Sequence, residues 1–470
     1  MNDRAEPLFT LQEVAGATGG TLLAGDPSLV LSAVSTDTRT IGTGSLYVAL
    51  CGERFDGHDF ISDAVSRGAA AVLTERPVDA PAGTPVVRVD RTLDAYGRLA
   101  RHHRDKLGLT VVAVTGSSGK TSTKEAIAAL IGRFIPTARS HANFNNEIGV
   151  PRTLLDLRAG PRCAVLEFGM RGPGEIGYLA EVAGPDIGVI TNIGTAHIGR
   201  LGSQEAIARA KGELVAAMPR GRVVLNGDDP FCRSIGRDHP RVCWYSARGG
   251  KTIEGQGEEA DVWATSTPVP DGEFWVFRAA WRKGPGWPAG EALVRLPLPG
   301  SHHVANTLAA MGVACQLGIV LPDDFVLAPP TVGGRSRVVA IGDIEILDES
   351  YNANPESARA ALEVFCTLPS PGRRVVVFGE MAELGDYAEE AHRALGRALD
   401  GLPVDFLVTV GEVAAGIADT ARVPSASCRD NAEAVRVLGS FVRSGDRLLV
   451  KGSRSGRLEE IVAGLSEWLE

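Results

Sequence analysis

The sequence predicts an α/β protein of three domains built around parallel sheets. Three observations predict it. At 470 residues the chain has room for about three domains at ~150 residues each. Short apolar runs alternate with helix-like segments through the middle and end of the chain, as in parallel strands joined by crossover helices. Several of those runs end in glycine and polar residues, which is where open α/β sheets place ligands. The expected domains are 1–107, 108–325 and 326–470.

The first domain mixes short elements. Leu46–Leu50 reads as a strand, Phe60–Ala71 as a helix, Ala71–Leu73 as the next strand, and Asp94–Lys106 as a polar connecting helix. The second opens on the apolar run Leu109–Val114, continues into a helix through Ile131, and adds strands at 164–166, 187–190 and 223–226. From Ser246 to Pro299 turn residues and Trp263, Trp275, Trp281 and Trp287 suggest an antiparallel flap, followed by a helix from Ser301 to Gly318. Pro322–Asp324 and Pro329–Gly334 read as a hinge. The third domain carries β-rich runs at 344–346, 375–377, 407–410 and 448–450.

Composition removes whole classes of function. The chain is 44% hydrophobic and 22% charged, with a mean hydropathy of +0.03, as expected of a globular chain with ample core material. No run approaches the ~18 apolar residues of a spanning helix, and Met1–Pro7 has no apolar leader core, so neither a membrane span nor a secretory signal is expected. The net charge of −9 lacks the basic surplus of a nucleic-acid binder. Seven widely spaced cysteines without a C-x-x-C pair argue against a disulfide framework or zinc-thiolate site and suit a reducing cytoplasm. Lysine occurs only at 106, 120, 124, 211, 251, 283 and 451, arginine elsewhere. A lysine kept in such a chain can act as a compact charge or as a reactive amine, which a guanidinium cannot; this marks Lys120, Lys211 and Lys451.

The strongest local signal is Thr115-Gly116-Ser117-Ser118-Gly119-Lys120-Thr121 between a strand and a helix. Its glycines let backbone N–H groups face a phosphate, and the helix N-terminus adds partial positive charge. Lys120 would reach the outer phosphates, and the Thr121 hydroxyl would bind Mg2+. The loop predicts mononucleotide binding but does not choose between kinase, GTPase and ligase.

Further motifs choose. They are Asn143-Phe144-Asn145-Asn146-Glu147-Ile148-Gly149-Val150-Pro151, Leu166-Glu167-Phe168-Gly169-Met170, Asn192-Ile193-Gly194-Thr195-Ala196-His197, Ala210-Lys211-Gly212-Glu213 and Pro299-Gly300-Ser301-His302-His303-Val304-Ala305-Asn306. Asp348-Glu349-Ser350-Tyr351-Asn352-Ala353-Asn354-Pro355 and Phe378-Gly379-Glu380-Met381-Ala382-Glu383-Leu384-Gly385 follow. With the phosphate loop, this series resembles the Mur ligases of peptidoglycan synthesis. Y-N-A-N-P and G-E-M-A-E-L-G resemble the member that joins D-alanyl-D-alanine to UDP-N-acetylmuramoyl-tripeptide; the D-N-P-R motif of the diaminopimelate-adding relative is absent. Ser35-Thr36-Asp37-Thr38-Arg39 and Gly52-Glu53-Arg54-Phe55-Asp56-Gly57-His58 resemble the family's uridine-nucleotide segments, so the likeness runs from about 35 to 455.

The resemblance implies an N-terminal UDP-substrate-binding domain, a central P-loop ATPase domain and a C-terminal Rossmann-like domain. It implies that ATP phosphorylates the tripeptide's terminal carboxylate and that the dipeptide amine attacks the acyl phosphate. Catalysis is then mostly positioning and charge neutralisation. It implies two Mg2+ ions held by Thr121, Glu167, His197 and Lys211, the lysine as a carbamate. Asn192 would orient the loop, His302 and Asn306 would approach the adenine, Asp348 the ribose, and Arg335, with Arg337 as the alternate, the γ-phosphate. Thr38, Arg39, Gly57, His58, Asn145, Asn146, Tyr351, Asn352 and Asn354 would contact the peptide substrates. A monomer in the cytoplasm is expected. The chain departs from the family's usual residues at His303 for Asn, Glu349 for Asp and Leu458 for Met.

Overall fold

The computed structural model describes residues 7–52, 55–141, 143–248, 259–330 and 333–469. Glu53 and Arg54 of the second uridine-type segment, and Thr331 and Val332 of the expected hinge, lie outside the described residues. The α/β class with parallel sheets is what the chain adopts. It forms two compact units: Met1–Ala113 with Ile135–Met170 and Glu175–Asp186, and Val114–Phe134 with Arg171–Gly174 and Ile187–Glu470.

In the first unit a five-stranded sheet runs in the order 21–24, 86–88, 69–74, 45–48, 33–35. All its neighbours are parallel except the first pair. Tyr47, Ala49, Ile61, Ala64, Ala69 and Val72 pack one face of it. The helix expected over 60–71 is shorter, Ile61–Ser66. Gly68 adopts φ +114°, a conformation that ends a right-handed helix, and Ala69–Thr74 then joins the sheet. Thr92–Leu107 is one helix that buries Ala95, Tyr96, Leu99, Ala100 and His103 and stops at Gly108, φ +62°. Strand Cys163–Glu167 pairs in parallel with Thr137–Arg139.

In the second unit, strands 187–190, 222–226 and 242–246 lie side by side in parallel. The tryptophan-rich region is antiparallel as expected, with 274–281 paired to both 262–264 and 290–296. It is not a separate flap. Strand 262–264 pairs in parallel with 242–246, so the region continues the central sheet. Asp324–Val326, read as part of a hinge, adds a short strand beside 290–296. Helix Ser301–Gln316 is buried almost all round from Val304 to Cys315, which marks a core helix; it packs on helix Lys120–Ile131 and on strands 222–226 and 242–246. The C-terminal sheet runs 337–341, 344–349, 447–451, 374–379, 406–410, 425–428, parallel beyond its first hairpin. Val375, Val377, Leu448 and Val450 centre its core. Among the described residues no helix is long and apolar enough to cross a membrane.

Candidate active site

Strand Thr110–Thr115 feeds the glycine loop, and helix Lys120–Ile131 leaves it. Gly116 has φ +148°, and a Cβ there would lie 1.9 Å from Thr191 Oγ1, so no side chain fits. Gly119 has φ +76° and sits against Asn306 Oδ1. The loop is held from behind by the residues after strand 187–190. The backbone carbonyl of Asn192 accepts from Ser117 N–H at 2.9 Å. Its side-chain Oδ1 accepts from Ser118 N–H at 3.0 Å, and its Nδ2 donates to the Ser118 carbonyl at 3.1 Å. Thr191 Oγ1 donates to the same carbonyl at 2.6 Å. The loop is therefore shaped by the protein itself, which lowers the ordering cost of binding phosphate. Lys120 Nζ donates to the Gly116 carbonyl at 2.8 Å. Asn306 Oδ1 accepts from Thr123 Oγ1 at 2.9 Å, placing this residue at the base of the loop.

The loop opens into a cavity of about 390 Å³ whose other walls come from the ends of strands 187–190, 222–226 and 242–246, from helix Ser301–Gln316, and from the C-terminal segment. Lys451 and Asn352 line it, and Lys451 Nζ donates to the Asn352 carbonyl at 3.0 Å and lies 3.4 Å from Glu349 Oε2. Burial pulls the Lys451 ammonium below its usual range, although Glu349 opposes the shift. Glu349 Oε1 accepts from the Ser336 N–H and hydroxyl, both at 2.9 Å. Arg335 lines the cavity with its guanidinium 4.2 Å from the Tyr351 ring centroid. Asp348 is buried and is not among the lining residues; its Oδ1 accepts from Ser350 N–H at 3.1 Å and Oγ at 2.6 Å. Asn354 lines the cavity while its Oδ1 caps helix Pro355–Thr367 through Ser357 N–H at 2.8 Å. His302 lines it too; burial and the neighbouring His303 hold its pKa well below the usual histidine range.

The lining residues that sequence reasoning missed include Asn226, Asp228, Tyr245 and Glu356. The first two stand at the end of strand 222–226, so the strand-end rule could have found them. Tyr245 Oη donates to the Thr191 carbonyl at 3.1 Å and Asn226 Nδ2 to the same oxygen at 2.9 Å. No local pattern announces the tyrosine.

The expected magnesium ligands fall in both units. Glu167 and Asn145 belong to the first, where buried Glu167 accepts from Asn145 Nδ2 at 2.9 Å. Asn146 Oδ1 accepts from Gly149 N–H at 2.9 Å at the start of a helix. Thr121, His197 and Lys211 belong to the second. Thr121 is buried in the first turn after the loop. Lys211 is fully buried in helix Gln204–Ala216; burial first, and repulsion from Lys120 second, push its pKa well below that of an ordinary lysine. His197 has φ +68°, and its Nδ1 lies 2.5 Å from Glu383 Oε2. Mg2+ prefers oxygen donors: the Thr121 hydroxyl and the Glu167 carboxylate each offer one, and the Lys211 amine, which burial favours in its neutral form, would offer them only as a carbamate.

The uridine-type segments are tied to local carboxylates. Exposed Arg39 makes a forked contact with Asp37, at 2.6 and 2.9 Å, which lowers the Asp37 carboxyl to about 2. Arg67 first, and Thr38 second, hold the Asp63 carboxyl below its usual range. Gly57 packs so closely that a Cβ would lie 2.8 Å from the Leu50 backbone. Buried His58 meets Asp56 Oδ1 through Nδ1 at 2.6 Å and accepts Glu75 N–H at Nε2, 3.1 Å. Cys51, Asp56 and His58 are close enough to hold a cation, but that accepted bond needs the Nε2 lone pair. The imidazole proton then sits on Nδ1, which faces the other two groups, and metal binding there is disfavoured.

Three family models match the chain. They are the Mur ligase family catalytic domain over residues 30–104, the Mur ligase middle domain over 114–314, and the Mur ligase glutamate ligase domain over 334–454. The UDP-N-acetylmuramoyl-tripeptide–D-alanyl-D-alanine ligase of Synechocystis is 40% identical over 442 residues, covering 92% of this chain and 91% of that protein. The Escherichia coli protein of the same name is 35% identical, covering 97% and 98%. Among solved structures, MurF from Acinetobacter baumannii superposes with a TM-score of 0.86 at 33% identity, covering 98% and 99% of the two chains. MurF from Thermotoga maritima in complex with ADP gives 0.81 at 28% identity, covering 93% and 97%.

Proposed function

We propose, for a chain that belongs to the Mur ligase family, that it is the ATP-dependent ligase joining D-alanyl-D-alanine to UDP-N-acetylmuramoyl-tripeptide. The observation that carries this reading is one cavity walled by a preformed phosphate loop and by Lys451, Asn352 and Arg335 of the C-terminal segment. Full-length similarity to ligases of that name supports it.

In this reading the loop N–H groups and Lys120 hold the ATP phosphates, and Arg335 adds charge where the γ-phosphate leaves. The tripeptide carboxylate attacks the γ-phosphorus, ADP departs, and an acyl phosphate forms. The dipeptide amine then attacks its carbonyl carbon and phosphate leaves, giving the amide. Thr121, Glu167, His197 and Lys211 are the residues we assign to Mg2+, which would neutralise phosphate charge when bound. Lys211 supports a carbamate because its buried amine gives up its proton readily. Asn192 shapes the loop, His302 and Asn306 lie on the adenosine side, and Asp348 is assigned to the ribose. Thr38, Arg39, Gly57, His58, Asn145, Asn146, Tyr351, Asn352 and Asn354 form the peptide-substrate contacts. The domain limits 1–107, 108–325 and 326–470, a monomeric state and a cytoplasmic location complete the reading; seven free cysteines accord with the last.

The test is ADP release measured with each substrate singly and together. Release that requires both the UDP-tripeptide and D-alanyl-D-alanine is the expected result. Release with the UDP-tripeptide and a free amino acid, but not with the dipeptide, would assign the chain to another member of the family.

A further inference from the structure

Four non-glycine residues among those described have left-handed backbones, and two of them, His197 at φ +68° and Glu383 at φ +62°, touch each other. L-residues hold that conformation only where the surroundings over-determine it, and such positions concentrate at functional sites. Here the surroundings are specific. Gly199 N–H donates to the Glu383 carbonyl at 3.1 Å. A Cβ on Gly199 would lie 2.5 Å from Gly385 N, so the two backbones meet with no room for a side chain. Close by, Glu356 Oε1 accepts Thr195 N–H at 2.8 Å. Two carboxylates of the C-terminal segment thus grip the turn that carries His197.

We propose that Glu383 is a positioning residue for His197: its carboxylate fixes the imidazole through Nδ1 and leaves Nε2 as the ring nitrogen that holds a divalent cation. The proposal rests on the reading of His197 as a magnesium ligand. A neutral imidazole has one N–H and one lone pair, and an adjacent carboxylate keeps the N–H on its own side. Metal-binding histidines commonly present their second nitrogen to such a carboxylate, which orients the ring and raises its basicity. Here the carboxylate comes from the C-terminal segment, so the ligand is oriented only while that segment is docked on the 194–199 turn. Cation binding and docking therefore favour each other by linkage.

The test uses the full-length protein with ADP and Mn2+ as a paramagnetic stand-in for Mg2+, counting free Mn2+ by electron paramagnetic resonance. Glu383→Gln keeps the shape and removes the charge; it should weaken the Mn2+ site about 10–100-fold without a comparable loss of melting temperature. Glu383→Asp should recover part of the affinity. Gly199→Ala, which separates the two backbones without touching the carboxylate, should weaken the same site and keeps the test open if the Gln variant does not fold. His197→Ala is the control for the underlying reading. If it leaves Mn2+ binding unchanged, that reading falls and the proposal with it. If His197→Ala weakens binding and Glu383→Gln does not, the proposal alone is overturned.

Discussion

The glycine loop at 115–121 and the opposite wall of its cavity, from Arg335 to Asn354 with Lys451, both present cationic and polar groups to one space. They do so by different means. The loop is contiguous and relies on backbone geometry: Gly116 occupies a place that no side chain could enter, and Thr191 and Asn192 clamp Ser118 from behind. The wall is dispersed. Its shape depends on side chains from separate strands, with Glu349 bonded to Ser336 on one side and beside Lys451 on the other. A contiguous backbone device tolerates little change at any position, whereas a dispersed side-chain device should fail in graded steps.

The comparison can be broken by substitution. The largest effect is expected for Lys120→Ala, which removes the compact charge of the loop and should lower turnover roughly 10³-fold; a folded variant with near-wild-type rates would show that the loop acts through its backbone alone. Next comes Lys211, the buried amine of helix Gln204–Ala216. Lys211→Ala should be nearly inactive and partly restored by bicarbonate or a small carboxylate, while Lys211→Arg should be inactive and unrestored, because the guanidinium keeps its charge and volume. Normal activity in the Arg variant would remove the carbamate from the mechanism.

The wall should answer more mildly. Lys451→Ala leaves the loop intact and should raise the ATP KM about tenfold, equivalent to about 1.4 kcal/mol, with kcat less affected. A loss as deep as that of Lys120→Ala would abolish the distinction between the two walls. The smallest effect is expected for Asn354→Ala. It removes the cap on helix Pro355–Thr367 and should cost about 1 kcal/mol of stability, read as a shift in the denaturant midpoint; any change in KM for the dipeptide would measure its separate role in the cavity.

The strands were largely legible because each is a short apolar run closed by glycine or a polar residue, as at 187–190, 222–226 and 447–451. The phosphate loop was legible for a related reason. Its function lies in φ values that glycine permits and in a helix start that directly follows, all within one window of sequence. The helix read over 60–71 was too long, since apolar spacing continued past Gly68 while its left-handed backbone turned the chain into a strand. The tryptophan region read correctly as antiparallel, but its union with the central sheet depends on the pairing of Tyr245 with Val262, which no local pattern carries.

By itself the sequence determined the α/β class, the glycine loop and the motifs that carry the family, because these depend on residue type and near-neighbour spacing. Only the tertiary structure decided that Tyr245 and Glu356 line the cavity, that Asp348 is buried near the end of strand 344–349 while Glu349 lies beside Lys451, and that Glu383 reaches His197. Such contacts join residues far apart in the chain. Their geometry follows from which strands lie side by side and which backbones can approach closely, and both are settled when the sheets and helices pack.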